Sequence, residues 1–228
     1  MKAYLLLGAA ALCLSACAKP ATQTEAAQAT SSSASAAPSV AGIPAGDYVT
    51  DPAHTSLTFE LSHMGYSHYT SRFATVEAHL KLDPAHPDQA SVTAIIDPQS
   101  LALNTPPKGF HDQLMGASFF DAKTYPSITF ASTKVEVTGA NTAKVIGNLT
   151  LHGVTKPVTL DATFNGGYPG MDLDPHARIG FSLSGQLNRS DFGMGFGIPA
   201  AGSNMGVGDA VSFQIETEMS GPPLVKKG

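Results

Sequence analysis

The sequence has no cysteine beyond its N-terminal residues. Of 228 residues, only Cys13 and Cys17 are cysteines, so the rest of the chain can form neither a disulfide framework nor a cysteine-based metal site. Charge is also scarce, since 14% of the residues are charged and the formal net charge is -5. A nucleic-acid-binding surface needs an excess of lysine and arginine to replace counterions. The sequence therefore predicts no nucleic-acid partner.

The N-terminal hydrophobic run is short. It covers residues 5–14, fewer than the roughly 20 residues of a membrane-spanning helix. Because small residues follow it, residues 1–17 are predicted to be an export signal that is removed. Residues 14–17, LSAC, resemble the lipobox of bacterial lipoproteins, which implies lipidation of Cys17, and Ala18 implies retention at the outer membrane. The alternative is an ordinary secretory signal and a soluble periplasmic protein.

A change of composition separates this signal from the folded domain. Residues 18–46 are mainly Ala, Ser, Thr, Gln and Pro, which cannot bury enough surface to offset their ordering entropy. They are predicted to form a flexible tether, and its 29 residues (46 minus 17) would have a root-mean-square reach of about 30 Å. The domain is predicted over residues 47–220, and residues 221–228 are predicted to be a frayed tail.

Residues 145–164, VIGNLTLHGVTKPVTLDATF, show the clearest local pattern. Apolar and polar residues alternate on both sides of His152-Gly153, which predicts a β-hairpin with one apolar face. The polar row contains Asn148, Thr150, Thr159 and Asp161. The apolar row contains Val145, Gly147, Leu149, Leu151, Val158, Leu160, Ala162 and Phe164.

The same alternation recurs through the domain. Asp51-Pro52 predicts a turn before the first strand, and residues 108–115 predict one or two helical turns. Eight or nine short strands with one helical interruption predict an all-β protein. An eight-stranded antiparallel barrel is favoured over a sandwich because closure leaves no free edge. The alternating segments lie at 57–62, 74–82, 92–96, 128–130, 135–137, 145–151, 158–164, 179–187 and 211–215.

The predicted inward rows also contain small residues. Small inward side chains in a barrel of about eight strands leave room for a ligand. The alternative is that phenylalanines, of which the chain has 11, fill that room. Alternation by itself does not decide between the two interpretations. The small residues are Ala74, Ala78, Ala94, Gly147, Ala162 and Gly185.

Four segments carry recognisable motifs, which lie at 51–59 (DPAHTSLTF, with His63 four residues on), 119–130 (FFD followed by YPSITF), 147–158 (GNLTLHGVTKPV) and 187–194 (LNRSDFGM). In this order they resemble the YceI-like family of bacterial polyisoprenoid-binding, lipocalin-like proteins. The resemblance extends from about residue 47 to 219. It implies an antiparallel barrel around an elongated apolar tunnel for a long isoprenoid chain, in an exported protein without an established enzymatic activity. The lipobox and the long tether depart from the family's commoner secreted form.

Inward apolar side chains are the predicted contacts of such a ligand. One isoprene unit would contribute roughly 3–4 kcal/mol at about 0.8 kcal/mol per buried CH₂. Association costs on the order of 4–15 kcal/mol, so several units must be buried, as in a polyprenyl phosphate or an isoprenoid quinone. The predicted contacts are Leu57, Phe59, Leu61, Val76, Leu80, Ile96, Phe119, Phe120, Ile128, Phe130, Val145, Leu149, Leu160, Phe164, Phe181, Leu183 and Phe213.

Three polar residues are predicted to contact the ligand's headgroup: His54, His63 and Arg189. Arg189 can donate two parallel hydrogen bonds to an anionic group beside the glycine-rich residues 193–197. The alternative is an ion pair between Arg189 and Asp191 or another carboxylate. The eight histidines lack the close spacing of metal ligands, so neither a metal site nor a cofactor is predicted.

No hydrolase motif is present, because residues 180–185, GFSLSG, lack the glycine that a nucleophile elbow needs two positions after its serine. The sequence therefore predicts a non-enzymatic periplasmic protein that binds, stores or transports a long isoprenoid lipid and is anchored to the outer membrane through Cys17. One alternative is an enzyme that uses the region of His54, His63 and Arg189 on an isoprenoid or quinone. Another is a barrel with a filled core that binds a protein partner. The sequence leaves the lipid's identity and a homodimer open.

Overall fold

The computed structural model describes residues 42–225. The predicted export signal, the lipobox and most of the predicted tether lie outside these residues. Within them, one short α-helix, α1 (Phe110–Leu114), and three 3₁₀ turns interrupt ten strands. The 3₁₀ turns are Pro87–Gln89, Pro98–Ser100 and Arg189–Phe192. The strands are β1 (Gly46–His63), β2 (Ser67–Phe73), β3 (Val76–Leu82), β4 (Ser91–Ile96), β5 (Leu101–Ala102), β6 (Ile128–Val137), β7 (Thr142–Leu151), β8 (Val154–Tyr168), β9 (His176–Asn188) and β10 (Val207–Pro223).

Eight of these strands close into an antiparallel barrel. Their order is β1-β3-β4-β6-β7-β8-β9-β10, and β10 pairs back onto β1. The short strands β2 and β5 extend this ring, since β2 pairs with the C-terminal half of β1 and β5 pairs with β2. Because β2 and β3 pair with successive parts of β1, together they form one bent strand. The predicted eight-stranded antiparallel barrel with one short helical segment is confirmed. None of the helices in the described range is long and apolar enough to cross a membrane.

The predicted β-hairpin is formed by β7 and β8. At its tip, His152 and Gly153 have φ values of 52° and 75°, the left-handed pair that a two-residue type I′ turn needs. The His152 ring lies 5.3 Å from the Tyr125 ring, and its Nδ1 lies 3.1 Å from the Phe192 carbonyl oxygen. The turn is therefore fixed by two distant segments as well as by its own sequence.

The turn predicted at Asp51-Pro52 is wrong, because both residues lie inside β1. The pairing of β1 with β10 shifts register between Thr50 and Thr55, which marks a β-bulge. Proline has no backbone N–H to donate to a neighbouring strand, so it is tolerated where the bulge interrupts pairing. The chain is thus redirected at this point while the strand continues to His63.

An ion-pair cluster holds the bulge against β9. Arg178 donates from Nη1 to the Asp51 carboxylate and, at 2.8 Å, from Nε to Asp174, which also accepts a hydrogen bond from Tyr168 at 2.7 Å. Asp51 also contacts His54, whose Nδ1 lies 3.0 Å from Oδ2 of the Asp51 carboxylate. Arg178, followed by His54, keeps the pKa of the Asp51 carboxyl well below its usual value. Asp51 in turn raises the pKa of His54.

One end of the barrel is partly filled by its own core. Tyr48, Ile179 and Met219 are buried there, and the Tyr48 hydroxyl donates to the Pro44 carbonyl oxygen at 2.6 Å. β10 continues past the predicted domain end at residue 220 to Pro223. Residues 226–228 of the predicted tail lie outside the described part of the chain.

Candidate ligand-binding cavity

The barrel encloses one large apolar cavity. Its volume is about 760 Å³, which falls in the range of roughly 300–1,000 Å³ that is common for ligand sites. All eight barrel strands contribute side chains to its wall. On β6 the lining extends from Ile128 to Val137, and nine steps (137 minus 128) correspond to about 30 Å of strand. The cavity is therefore elongated along the barrel.

Every apolar residue that the sequence predicts as a ligand contact lines this cavity. For the residues in strands this follows from period-two alternation, which places each inward row on the same side of the sheet, whereas Phe119 and Phe120 lie between α1 and β6. Their contact with a ligand stays a prediction. What the structure adds is that they share one continuous wall.

Aromatic rings line the half of the cavity near the end of β1. The Phe73 ring lies 5.5 Å from Phe59 and 5.8 Å from Phe120, and the Phe119 ring lies 5.3 Å from Phe196. Phe196 is 58% exposed although it also lines the cavity, so it stands at the boundary with solvent. These rings form an apolar collar around one end of the cavity.

The small inward residues fall into two groups. A Cβ atom on Gly147 would collide with the Phe130 ring, and one on Gly185 would lie 2.5 Å from Cζ of Phe213. Phenylalanine thus fills the space beside both glycines. Of the two interpretations that the sequence leaves open, the one in which phenylalanine fills the room holds at these two glycines.

Alanines account for the second group. Ala78, Ala94 and Ala162 line the cavity, and so does Ala143, which is not among the predicted small inward residues. Ala74 was predicted to point inward, but it is exposed at the bend between β2 and β3, so that prediction is wrong. The open part of the wall is therefore built from alanine rather than glycine.

β2 contributes lining residues that sequence alternation does not reveal. Phe73 and Tyr69 line the cavity, but the inward residue between them is Ser71. Ser71 is 5% exposed, and its hydroxyl donates to the Ala102 carbonyl oxygen at 2.6 Å. Because a polar residue occupies the inward row, an apolar period of two is absent. Four lining residues outside the strands are also not predicted from the sequence, because period-two alternation gives no signal there: Leu103, Phe110, Leu114 and Met194.

Exposed lining residues occur at two opposite ends. The first group, the His63 rim, consists of His63, Gln113, Phe196 and Gly197 and lies where β1 ends. The second, the Val137 rim, lies where β6 ends and consists of Pro87, Ser91, Val137, Gly139 and Ala140. Imidazole and amide side chains occur at the His63 rim, whereas the Val137 rim has no ionisable side chain. The cavity thus reaches the surface at two chemically different places.

The three predicted headgroup contacts do not come together. His63 and Arg189 both line the cavity at the His63 rim. His54 lies on the β1 bulge, is exposed, and bonds Asp51 instead of facing the cavity. A site built from all three residues is therefore not formed.

Arg189 is buried, with 6% of its surface exposed, and its guanidinium donates to four backbone carbonyl oxygens at 2.5–2.9 Å. No carboxylate pairs with it within residues 42–225, so the ion pair considered from the sequence is not found there. Burial lowers the pKa of this guanidinium. Four of its five N–H groups are used, which leaves one N–H, on Nη2. The accepting residues are Met194, Phe196, Val207 and Gly208.

Sequence comparison relates the chain to several bacterial proteins. It is 40% identical over 141 residues to a UPF0312 protein of Pseudomonas putida strain W619, covering 62% of this chain and 71% of that protein. It is 38% identical over 152 residues to a UPF0312 protein of Vibrio cholerae, covering 66% of this chain and 78% of the relative.

Structural comparison finds the same barrel in solved proteins. BcnA of Burkholderia cenocepacia is 28% identical with a TM-score of 0.61, covering 74% of this chain and 98% of BcnA. A YceI protein of Campylobacter jejuni is 30% identical with a TM-score of 0.58, covering 73% of this chain and 90% of that one. A domain of Saccharophagus degradans, described as polyisoprenoid-binding, shares the fold at 16% identity and a TM-score of 0.52, covering 78% of this chain and 100% of the domain.

The model of the YceI-like domain matches residues 48–219. This range includes all eight barrel strands in whole or in part and the four motifs noted in the sequence. The chain therefore belongs to the YceI-like family.

Proposed function

We propose that this protein binds a long-chain isoprenoid lipid, such as a polyprenyl phosphate or an isoprenoid quinone, inside the barrel. The observation that carries this proposal is the continuous apolar cavity of about 760 Å³ to which all eight barrel strands contribute. A barrel that served only as a scaffold would have a filled core. The empty interior therefore favours ligand binding over the scaffold interpretation.

Family membership and one structural relative support the proposed ligand class. The Saccharophagus degradans domain, whose fold this barrel shares, is described as polyisoprenoid-binding. The lining extends for about 30 Å along β6, so several isoprene units fit end to end. Because each buried CH₂ contributes about 0.8 kcal/mol, a chain of that length overcomes the cost of association.

The proposed role is binding without turnover. An enzyme in this cavity would need reactive groups that converge on one part of the ligand. His63 stands at the rim, the Arg189 guanidinium is occupied by backbone carbonyls, and His54 lies outside the cavity. This arrangement supplies a polar place for a headgroup rather than an acid–base pair.

We also propose that the protein acts in the periplasm, anchored to the outer membrane through Cys17. The proposal rests on the N-terminal residues 1–17 and their lipobox-like end. Membrane fractionation and the mass of the mature N-terminus test it. Lipidated Cys17 and loss of membrane association in a Cys17→Ser variant are expected, whereas an unmodified soluble protein would contradict anchoring.

A displacement titration tests ligand binding in vitro. The sequence has no tryptophan, so a fluorescent apolar probe is the appropriate reporter. We expect undecaprenyl phosphate or a long-chain quinone to displace it from the full-length protein. The proposal fails if neither lipid displaces the probe.

A pair of variants locates that binding. Leu149→Glu places a carboxylate in the cavity wall and should weaken binding at least about tenfold, because an unpaired charge in an apolar site is costly. Asn148→Glu, one residue away on the exposed outer face, is the matched control and should bind normally. Equal binding by both variants would place the ligand outside the cavity.

A further inference from the structure

The cavity wall contains two alanine pairs that lie directly opposite each other on neighbouring strands. Ala78 of β3 pairs with Ala94 of β4, and Ala143 of β7 pairs with Ala162 of β8. All four line the cavity. Residues opposite each other in a sheet have Cβ atoms about 4.5–5.5 Å apart, so each pair forms a patch with only two methyl groups.

These patches differ from the inward glycines, because the rings of Phe130 and Phe213 fill the space beside Gly147 and Gly185. The alanines border the cavity itself. Larger residues flank them in the same inward rows, with Val76 and Leu80 on either side of Ala78. A large side chain at an alanine position would therefore enter the passage.

The two pairs lie at different depths of the cavity. Ala143 pairs with Val137 itself, so the Ala143–Ala162 pair lies beside the Val137 rim. Ala94 pairs with Phe130, seven residues (137 minus 130) from Val137 on β6, so the Ala78–Ala94 pair lies deeper in the cavity. The part of the cavity that the alanines keep wide thus leads to the rim without ionisable side chains.

The difference between the rims gives a bound amphiphile its direction. His63 and the remaining N–H of Arg189 suit a polar headgroup at the His63 rim. An apolar tail then points toward Val137, which is 50% exposed. A tail longer than the barrel reaches solvent there.

We propose that the Ala78–Ala94 and Ala143–Ala162 pairs determine the isoprenoid chain length that the barrel accepts, by keeping the tail half open to the Val137 rim. This inference rests on the proposed isoprenoid-binding function. The protein is then expected to prefer long isoprenoid chains, because a long chain can pass both alanine pairs and protrude from the cavity at the Val137 rim. A short chain would occupy only the half near the His63 rim.

Ala94→Phe and Ala143→Phe test this inference in the full-length protein. Displacement of a fluorescent apolar probe is measured with farnesol as the short chain and undecaprenol as the long one. Each variant should bind farnesol within about twofold of the original protein and undecaprenol at least about tenfold more weakly. Undecaprenol binding as tight as in the original protein would overturn the inference.

A control and a milder variant complete the experiment. Ala131→Phe adds the same ring on the exposed outer face of β6 and should change neither affinity. Ala94→Leu introduces less volume and should show a smaller loss of affinity for undecaprenol, which keeps the test available if the phenylalanine variants do not fold.

If the original protein binds neither alcohol nor the polyprenyl phosphate, the proposed function itself fails. If it binds both alcohols and the variants do not discriminate, only the chain-length inference fails.

Discussion

The Phe130 ring lies over Gly147 on the neighbouring strand, where any larger residue would collide with it. A Cβ atom on Gly147 would also lie 2.6 Å from the Ala131 carbonyl oxygen, which belongs to the backbone and cannot turn away. The glycine is therefore required for close packing of β6 on β7. It provides room for a phenylalanine, and that phenylalanine in turn forms part of the cavity wall.

Gly147→Ala should consequently destabilise the barrel by about 1–3 kcal/mol, the usual effect of overpacking. The midpoint of urea unfolding measures the change. Gly195→Ala is the matched control, because a Cβ there would meet nothing within 4 Å, and its effect should stay within about 0.5 kcal/mol. Equal stability of the two variants would show that Phe130 adapts without cost.

Arg189 should be a stability residue for the glycine-rich loop. Arg189→Ala would remove the donor for four backbone carbonyls and should cost about 3 kcal/mol or more, because unpaired polar groups are left buried. Arg189→Lys should recover only part of this, since lysine lacks the planar fork. Urea unfolding and proteolysis within residues 193–206 report the loss. Unchanged protease resistance in Arg189→Ala would contradict this role.

The contact between Asp51 and Arg178 predicts how stability depends on pH. Arg178 lowers the pKa of Asp51 in the folded protein. The stabilisation that the ionised Asp51 carboxylate provides is therefore fully present above the unfolded pKa of about 3.9, and it is lost as the pH falls through the lower pKa of the folded state. Asp51→Asn should therefore be less stable than the original protein near pH 6, and the difference should shrink below about pH 4. Urea unfolding at several pH values measures it.

Asp161→Asn provides the control for that series. Asp161 pairs with Lys144 at 2.7 Å, but both side chains are exposed, and such surface pairs contribute little. A pH-independent difference between Asp51→Asn and the original protein would mean that the carboxylate charge is unimportant at the bulge.

Phe196 should slow ligand release at the His63 rim. Its ring packs on Phe119 and also lines the cavity. Phe196→Ala removes an aromatic contact of about 1 kcal/mol, so release should be roughly fivefold faster. Stopped-flow dilution of a fluorescent apolar probe measures the rate. Tyr66→Ala, which alters a nearby exposed residue outside the lining, should leave the rate unchanged, and an unchanged rate in Phe196→Ala would exclude this exit.

The barrel could be predicted from the sequence because its strands and turns follow from patterns among neighbouring residues. Each inward row, such as Val145 to Leu151, repeats every two residues, and His152-Gly153 suits only a tight turn. The β1 bulge could not be predicted in the same way. Asp51-Pro52 has the composition of a turn, but Arg178, far away in the sequence, holds it inside a strand.

The cavity could be predicted only in part. The large lining residues follow from alternation, whereas the role of each small residue depends on a neighbouring strand. Gly147 and Ala162 look equivalent in sequence, yet the Phe130 ring fills the space beside Gly147, whereas Ala162 lines the cavity. β2 is not recognisable from its sequence because Ser71 interrupts the inward apolar row. The partner that satisfies the Ser71 hydroxyl, the Ala102 carbonyl oxygen, lies 31 residues away. Long-range contacts of this kind leave no local pattern.

The ligand carried by protein purified from its native cell tests the central claim most directly. Organic extraction followed by mass spectrometry, with the Leu149→Glu variant processed in parallel, identifies what occupies the cavity. The account predicts an isoprenoid lipid with a long chain in the original protein and little or none in the variant. Protein that yields no apolar ligand and also fails to bind added polyprenyl lipid would contradict it.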